Sequence, residues 1–255
     1  MTGGNMYRWI GYTWNPLAGQ CLHDCEYCYV KSLAKRYPTL RKKYSGEIRL
    51  DTKALNKKLP RNKTIFVCSM NDLFADGVTS EYIKVILEKV NEQWLGRRFL
   101  FQTKNPKRLF EFGGMFPEDS IFAITLESNR NLIKTYAPSP EERARYFAEF
   151  KEAMLEDSVL PAFEITIEPL LKFDLDQFIN MIKRIKPDFV SIGADSKYNH
   201  LPEPSEEKIV ALVQRLKEEG ISIHLKKNLK RLAPSLFSEG NSRADLANRE
   251  EEMII

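Results

Sequence analysis

Three of the four cysteines of this 255-residue chain lie in the segment Cys21-Leu22-His23-Asp24-Cys25-Glu26-Tyr27-Cys28-Tyr29. This C-x3-C-x2-C spacing places three thiols on one short loop, where three thiolates can bind three irons of a [4Fe–4S] cluster. Electron-transfer clusters are usually bound by four cysteines, so one iron would here lack a protein ligand. An open metal position is typical of catalytic sites rather than structural ones. Cys21, Cys25 and Cys28 are therefore the predicted metal ligands.

Zinc and disulfides are the other common uses of cysteine. Zinc sites usually contain C-x2-C pairs with a second pair of ligands farther along the chain. The remaining cysteine is Cys68, and the three histidines, His23, His200 and His224, have no paired zinc spacing. A disulfide framework is poorly supported, because cysteines are few and the chain is large for a stapled secreted domain. The spacing favours an iron–sulfur cluster.

The cysteine segment follows the first of a series of strand-like segments that alternate with amphipathic helical patterns. The strand-like segments are short and rich in β-branched and aromatic residues, as buried strands are. They are Trp9–Trp14, Thr64–Met70, Phe99–Thr103, Ile121–Leu126, Ala162–Ile167, Phe189–Gly193 and Ile221–Leu225. The helical patterns are Ser80–Trp94, Pro140–Glu156, Leu175–Ile185 and Ser205–Glu219. The alternation predicts an α/β fold with a parallel sheet, either an open doubly wound sheet or a closed or partial barrel.

Polar side chains that can bind a ligand or ionise follow the predicted strands. They lie in Cys68-Ser69-Met70-Asn71-Asp72, Thr103-Lys104-Asn105, Glu127-Ser128-Asn129, Glu168-Pro169, Gly193-Ala194-Asp195-Ser196 and Lys226-Lys227. Single members such as Asn105, Ser128 or Asp195 could instead cap helices. Because active sites of barrels gather at the carboxyl ends of the strands, the set as a whole predicts one binding site there.

The three-cysteine motif, with the aromatic Tyr27 before its last cysteine, resembles the signature of the radical S-adenosylmethionine (SAM) enzymes. The resemblance implies a partial (β/α)6-type TIM barrel, assigned to residues 1–231, with the cluster loop after the first strand. It implies that the amino and carboxylate groups of SAM bind the open iron, and that reductive cleavage of SAM yields a 5′-deoxyadenosyl radical. An electron donor such as ferredoxin or flavodoxin would then be a partner.

Four further segments resemble the phage Gp37/Gp68-like proteins, a radical-SAM-type family of unassigned function. They are Thr13-Trp14-Asn15-Pro16, Ser69-Met70-Asn71-Asp72-Leu73-Phe74, Thr103-Lys104-Asn105-Pro106-Lys107-Arg108 and Ile167-Glu168-Pro169-Leu170-Leu171. The likeness runs from about Trp9 to Lys227. It departs at the sixth strand, where the family tends to have Gly-Gly-Glu-Ser and this chain has Gly193-Ala194-Asp195-Ser196.

The chemistry of SAM indicates which strand-end residues would bind it. The predicted SAM-binding residues are Tyr27, Ser69, Asn71, Asp72, Lys104, Glu127, Asn129, Gly193 and Asp195. Lys104 is the cation expected beside the carboxylate of SAM, and Glu127 suits the ribose diol. The polar residues after the second strand would accept hydrogen bonds from the amino group. Tyr27 can pack on the adenine ring.

Cys68 stands apart from the cluster loop. Free cysteines are commonly small buried apolar residues, and that role would explain it. Its place, about forty residues after the cluster motif, also resembles that of a cysteine in the spore photoproduct lyases, another radical SAM family. That resemblance implies a catalytic thiol that returns a hydrogen atom to a substrate radical.

Basic residues are concentrated directly after the cluster motif. From Lys31 to Lys63 the chain has twelve Lys and Arg and two acids, a local net charge of +10, whereas the whole chain carries +4. A phosphate-bearing partner would exploit such a surface, and a solvated face of a Lys-rich protein would explain it equally. With the second basic run Lys226–Arg231, the pattern slightly favours nucleic acid or a nucleotide as substrate.

The bulk composition, 43% hydrophobic and 29% charged, is that of an ordinary globular domain. No apolar run approaches the ~20 residues of a membrane span, and Met1–Asn5 lacks the start of a signal peptide. Unpaired cysteines and an oxygen-sensitive cluster predict a cytoplasmic protein without membrane partners. Residues 232–255 turn polar and are predicted to form a tail or an appended helix. The alternatives left open are an iron–sulfur electron-transfer or sensor protein without SAM chemistry, and a zinc-containing nucleic-acid-binding module.

Overall fold

The computed structural model describes residues 7–156 and 161–238. The strands in this part of the chain are β1 Tyr12–Trp14, β2 Leu17–Ala18, β3 Arg49–Leu50, β4 Lys63–Val67, β5 Arg97–Thr103, β6 Ser120–Thr125, β7 Ala162–Ile167, β8 Phe189–Ile192 and β9 Ser222–Leu225. The α-helices are α1 Tyr29–Arg36, α2 Pro38–Lys43, α3 Thr52–Leu55, α4 Ser80–Asn91, α5 Pro140–Glu156, α6 Leu175–Ile185 and α7 Glu206–Glu218. Short 3₁₀ helices cover Pro106–Met115, Lys227–Arg231 and Pro234–Phe237.

Seven of the strands form one sheet in the order β1-β4-β5-β6-β7-β8-β9. Every neighbouring pair in this sheet is parallel. The chain therefore moves across the sheet in one direction, with one strand added after each crossover. The predicted α/β class and parallel sheet are confirmed, and the arrangement is consistent with a partial TIM barrel.

The helices cover one face of the sheet because alternate strand residues point toward them. Phe99, Phe101 and Phe122 on the strands belong to the same buried cluster as Ile83 of α4 and Phe147 of α5. The helix boundaries follow ordinary capping chemistry. Helix α7, for example, begins after Ser205 with acids in its first turn and ends before Gly220, whose φ is +73°.

The other face of the sheet divides into an apolar part and a polar part. A small cluster that includes Phe66, Leu100, Ile121 and Phe189 is closed by Tyr7, which precedes the first strand. Toward the carboxyl ends of the strands, the side chains on this face become polar and buried. They include Thr125, Glu164, Thr166 and Ser191. The site described below lies against this polar part.

All the predicted strands are present, and the bounds of α5 and α6 match the predicted helices. The antiparallel pair β2–β3, which joins the cluster loop to the basic stretch, was not predicted from the sequence. Residues 239–255 of the predicted tail lie outside the described residues. Within the described part of the chain, no helix combines the length and the apolar character needed to span a bilayer.

Candidate functional site

A cavity of about 560 Å³, here called the main cavity, opens at the carboxyl ends of the strands. It brings together residues that are far apart in the sequence. The predicted site residues that line it are Cys21, Cys25, Tyr27, Cys28, Cys68, Ser69, Asn71, Asp72, Lys104 and Asp195. Glu168, Gln102, Thr125 and Phe66 line it as well. The predicted gathering of strand-end residues around one site is therefore present.

The cluster loop, Cys21–Cys28, is fastened to the sheet through Asp72. His23 Nε2 donates a hydrogen bond to Asp72 Oδ2 at 2.8 Å. The same carboxylate accepts hydrogen bonds from Thr103 Oγ1 and from the backbone amides of Phe74 and Lys104. Burial by itself raises the pKa of Asp72, but the attraction of His23 and these hydrogen bonds outweigh it and lower that pKa. The carboxylate predicted to bind SAM is thus engaged in holding the loop.

A second segment holds the cluster loop from its other side. The Lys134 amide donates to Glu26 Oε1 at 2.9 Å, and the Glu26 amide donates to the Lys134 carbonyl at 3.0 Å. Thr135 Oγ1 donates to the His23 carbonyl at 2.8 Å and lies 3.2 Å from Cys25 Sγ. The sequence analysis did not identify this segment, because its residues match no motif. The loop is therefore positioned from two directions.

All four cysteines are free thiols. Burial raises the pKa of Cys21 to about 12, and burial also raises the pKa of Cys25. A bound cation would reverse this, because metal ligation deprotonates a coordinating thiol. Three thiols on one loop, with no disulfide between them, are a donor set that fits a [4Fe–4S] cluster. In the described part of the chain, no three His, Cys, Asp or Glu side chains are arranged to hold a single metal ion.

Lys104, Glu127 and Arg143 form a buried charge network behind Tyr27. Arg143 Nη1 donates to Glu127 Oε2 at 2.8 Å, and Lys104 Nζ lies 3.6 Å from Glu127 Oε1. The Tyr27 hydroxyl donates to Glu127 Oε1. Burial raises the pKa of Glu127, but Arg143, Lys104 and the tyrosine outweigh it and lower that pKa to about 2. Glu127 and Arg143 line a neighbouring cavity of about 290 Å³ and not the main one.

The segment after β4 carries an acceptor without a donor. Asn71 Nδ2 donates to the Gly19 carbonyl at 3.2 Å, whereas Asn71 Oδ1 is buried and has no hydrogen-bond partner. Ser69 Oγ donates to Asn15 Oδ1 at 3.2 Å. Unpaired buried acceptors are rare in folded proteins, so Asn71 Oδ1 is an unsatisfied polar atom in the wall of the main cavity.

Three predicted SAM-binding residues make other contacts. Asn129 does not line the main cavity, and its Nδ2 donates to Gln177 Oε1 at 3.0 Å. The Asp195 carboxylate accepts from the Lys197 and Asn199 amides of its own loop. An ideal Cβ on Gly193 would lie 2.8 Å from a carboxylate oxygen of Glu168, so any larger residue would displace that carboxylate. The sequence had suggested a ligand contact for each.

Cys68 combines burial with an uncommon backbone conformation. Its φ is +56°, in the left-handed region that non-glycine residues rarely adopt. The side chain is 3% exposed and lines the main cavity. Burial raises the pKa of its thiol to about 12, so the sulfur retains its hydrogen at neutral pH. The structure thus places a protonated thiol in the same cavity as the three clustered cysteines.

The wall of the main cavity after β7 contains an ion pair that the sequence analysis did not assign. Lys226 Nζ donates to Glu168 Oε2 at 2.6 Å, and Asn228 Nδ2 donates to Glu168 Oε1 at 2.7 Å. Lys226 Nζ also lies 3.9 Å from the centre of the Tyr7 ring. The sequence analysis noted Glu168 and Lys226 only as residues at strand ends. Glu168 follows β7 and Lys226 follows β9, and the two can pair because β8 lies between these strands in the sheet.

The basic residues between Lys31 and Lys63 do not lie on a single face of the protein. Lys57, Lys58, Arg61 and Lys63 precede or begin β4, whose other end leads to Cys68 in the main cavity. They therefore lie toward the end of the sheet away from the cavity, so only part of the stretch Lys31–Lys63 lies near the cavity mouth. The bases nearer the mouth are on α1 and α2, directly after the cluster loop.

Four exposed bases on these two helices have no acidic partner among the described residues. They are Lys35, Arg36, Arg41 and Lys42, here called the α1–α2 basic surface. By contrast, Lys31 pairs with Asp24 at 2.8 Å and Lys43 with Asp51 at 2.6 Å. Tyr37, between the helices, is 43% exposed.

Comparison with solved structures shows a shared fold at low sequence identity. A mutant of spore photoproduct lyase matches with a TM-score of 0.56 and 11% identity, covering 84% of this chain and 75% of that chain. Another, with dinucleoside spore photoproduct, gives 0.55 and 12%, covering 82% and 74%. SuiB of Streptococcus suis bound to precursor peptide SuiA gives 0.52 and 10%, covering 88% of this chain and 51% of SuiB. This chain therefore spans about half the length of SuiB.

No curated protein matches the sequence. One family model, described as "Protein of unknown function (DUF5131)", matches residues 5–158, which is more than half of the chain. The matched region includes the cluster loop, Cys68, Asn71, Lys104 and Glu127, and it ends before the Glu168–Lys226 pair. On the strength of this match, the chain belongs to the DUF5131 family.

Proposed function

We propose that this protein is a radical SAM enzyme that binds a [4Fe–4S] cluster through Cys21, Cys25 and Cys28. The observation that carries the proposal is that these three thiols line one cavity together with the polar residues that end the strands. The fold shared with spore photoproduct lyase and SuiB supports it. Closure of the sheet as a partial (β/α)6 barrel, and kinship with the Gp37/Gp68-like proteins, belong to the same proposal.

The residues around the cavity have distinct roles in this proposal. Lys104 provides a positive charge for the carboxylate of SAM, and Asn71 Oδ1 provides the acceptor for its amino group. Glu127 holds Tyr27 and Lys104 in place from behind, because its carboxylate already contacts both. The bound cluster and SAM would supply a carbon radical by reductive cleavage of the sulfonium, with electrons from a donor such as ferredoxin or flavodoxin.

Cys68 is the proposed source of a hydrogen atom for a substrate radical: its S–H bond breaks, a C–H bond forms on the substrate, and the unpaired electron passes to the Cys68 sulfur. Its thiol faces the same cavity as the cluster loop, and burial keeps it protonated. The positive φ at Cys68 fixes where the backbone turns after β4, and so helps to fix the position of the sulfur. This role remains a prediction, since a buried cysteine also packs well as a small apolar residue.

The proposed substrate carries phosphate, as a nucleotide or nucleic acid does. The α1–α2 basic surface supports this, since its cations are exposed, lack acidic partners in the described part of the chain and follow the cluster loop directly. Exposed cations of this kind attract phosphates by an electrostatic term that does not depend on sequence. A cytoplasmic location, where a reduced cluster is stable, is part of the proposal.

The test is anaerobic reconstitution with iron and sulfide, followed by titration with SAM. We expect the electron paramagnetic resonance spectrum of the reduced cluster to change on addition of SAM, and 5′-deoxyadenosine to form with dithionite. A cluster whose spectrum does not change on addition of SAM would favour an electron-transfer or sensor protein. Zinc in place of iron after anaerobic purification would favour the nucleic-acid-binding module.

A further inference from the structure

The Glu168 carboxylate lies in the wall of the main cavity and is held there through both of its oxygens. Lys226 contacts one of its oxygens at 2.6 Å and Asn228 the other at 2.7 Å. Asn228 is itself held by Ala194, accepting from its amide at 3.3 Å and donating to its carbonyl at 3.0 Å. Gly193 lets the backbone lie against the carboxylate, because any Cβ there would come within 2.8 Å of Oε1.

These contacts leave acceptor capacity on both oxygens of Glu168. A carboxylate has about four lone-pair sites, and each oxygen here accepts one hydrogen bond from the protein. The side chain is 17% exposed and lines the main cavity, so the remaining acceptors are available to a ligand there. Two carboxylate oxygens side by side match a ligand with two adjacent, parallel N–H donors.

The charge of the pair decides what kind of ligand fits. Lys226 already compensates Glu168, and its ammonium is held against the ring of Tyr7 at 3.9 Å. A guanidinium or ammonium ligand would have to share this carboxylate with the Lys226 ammonium, and two positive charges so close together repel each other. A neutral ligand with paired donors satisfies the acceptors without adding charge. Phe66 and Tyr29 also line the cavity, and aromatic rings pack favourably against planar ligands.

We propose that Glu168 is a specificity-determining residue that recognises the N–H edge of a neutral planar base in the substrate, as the adjacent ring N–H and amino group of guanine present it. This inference rests on the proposed nucleotide-bearing substrate and names the part of it that enters the cavity. Lys226 and Asn228 act as positioning residues that set the orientation of the carboxylate.

The experiment compares guanosine monophosphate with inosine monophosphate, which has the same charge but lacks the amino group. Affinities are measured by calorimetry on the full chain, purified anaerobically with its cluster, with and without SAM. The wild-type protein should bind guanosine monophosphate about 5- to 150-fold more tightly than inosine monophosphate. Glu168→Gln replaces one acceptor with a donor, and should abolish this preference while SAM affinity and cluster content stay unchanged.

Glu152→Gln is the matched control, since Glu152 is an exposed residue of α5 remote from the Glu168 pair in sequence and contacts. It should keep the wild-type preference. If Glu168→Gln fails to fold, the double variant with Lys226→Met removes both charges together and tests the same point. Equal wild-type affinities for the two nucleotides, or a preference that survives Glu168→Gln, would overturn the inference. So would a loss of SAM affinity in Glu168→Gln, which would assign the carboxylate to the cofactor.

Failure of the proposed function has a separate signature. If the wild-type cluster does not respond to SAM, the radical SAM proposal fails, whereas the comparison of the two nucleotides without SAM still decides the role of Glu168.

Discussion

Arg143 Nη1 donates a hydrogen bond to Glu127 Oε2 at 2.8 Å, and the two side chains are 1% and 3% exposed. The same guanidinium donates to the Thr125 carbonyl at 2.5 Å. The pair thus joins α5 to the end of β6 beneath Tyr27 of the cluster loop. A buried carboxylate of this kind depends on its cation, because removing one partner leaves an uncompensated charge in the interior.

Arg143→Met should therefore destabilise the protein by about 3–5 kcal/mol, measured as the free energy of unfolding in urea. It should also loosen Tyr27, whose hydroxyl donates to the same carboxylate. Arg145→Met is the control, since Arg145 lies on the same helix but is exposed and should change stability little. Equal stability of Arg143→Met and the wild-type protein would contradict the role given to the pair.

Arg143 also shows where prediction from the sequence stops. Arg143 and Arg145 lie in the same helical pattern, and only the fold reveals that the first faces Glu127 and the second faces solvent. The strands were predictable because buried strands have a distinctive composition, and their order then gathers the polar residues at one edge. Which of those residues face the cavity depends on packing, which the sequence pattern does not reveal. Glu127 and Asn129 were predicted to bind SAM, and in the structure neither lines the main cavity.

The cluster loop illustrates the same division. Its cysteine spacing is a local pattern and could be recognised directly, as could the polar segment after β4. The residues that hold the loop in place cannot be recognised from the sequence. Asp72 contacts His23, and Lys134 contacts Glu26, only after distant parts of the chain meet in the fold. The sequence predicted Asp72 as a SAM-binding residue, and that role stays a prediction; the structure adds that its carboxylate accepts hydrogen bonds from four donor groups.

Cys25→Ala should abolish the [4Fe–4S] cluster, because a loop with two thiols cannot hold three irons. The measurement is iron content and visible charge-transfer absorbance after anaerobic reconstitution, and Cys21→Ala and Cys28→Ala should behave alike. Cys68→Ala is the matched control and should retain the full cluster, since it lies outside the loop. A complete cluster in Cys25→Ala would refute the assignment of the three ligands.

Lys104→Met should weaken the binding of SAM by about 10- to 150-fold, the loss expected for one charge-assisted hydrogen bond of 1.5–3 kcal/mol. Calorimetry on the protein with an intact cluster measures it. Lys107→Met makes the same change three residues later, where the side chain is exposed, and should leave the affinity unchanged. Wild-type affinity in Lys104→Met would remove this lysine from the proposed SAM site.

Glu164 should make stability depend on pH near neutrality. Burial raises its pKa from the usual value of 4.5 to about 7, although Ser191 and Lys226 partly offset the effect. An acid whose pKa is raised by folding stabilises the folded state below the unfolded pKa and loses that contribution as pH rises. The wild-type free energy of unfolding should thus fall by on the order of 3 kcal/mol between about pH 4.5 and 7.

Glu164→Gln should flatten this part of the profile and leave the protein more stable than wild type at pH 8. Ser191 Oγ donates to Glu164 Oε1 at 2.5 Å, and Gln can accept the same bond without a buried charge. Urea unfolding at several pH values measures the effect, and Glu152→Gln controls for loss of an exposed carboxylate. A profile in Glu164→Gln parallel to that of the wild type would show that Glu164 does not titrate in this range.

The α1–α2 basic surface should bind phosphates in a way that depends steeply on salt. If Lys35, Arg36, Arg41 and Lys42 neutralise about four phosphates, the affinity for duplex DNA should follow a log–log salt slope near −3.6. Reversing two of these charges, with Arg41→Glu and Lys42→Glu, should reduce the slope by about 1.8 and leave the cluster intact. Lys57→Glu with Lys58→Glu makes the same change in net charge at the end of the sheet away from the main cavity. If this control pair lowers the slope as much as the first pair, the net charge of the protein and not the α1–α2 basic surface controls binding. If the wild-type protein does not bind DNA even at low salt, the four bases are a solvated face.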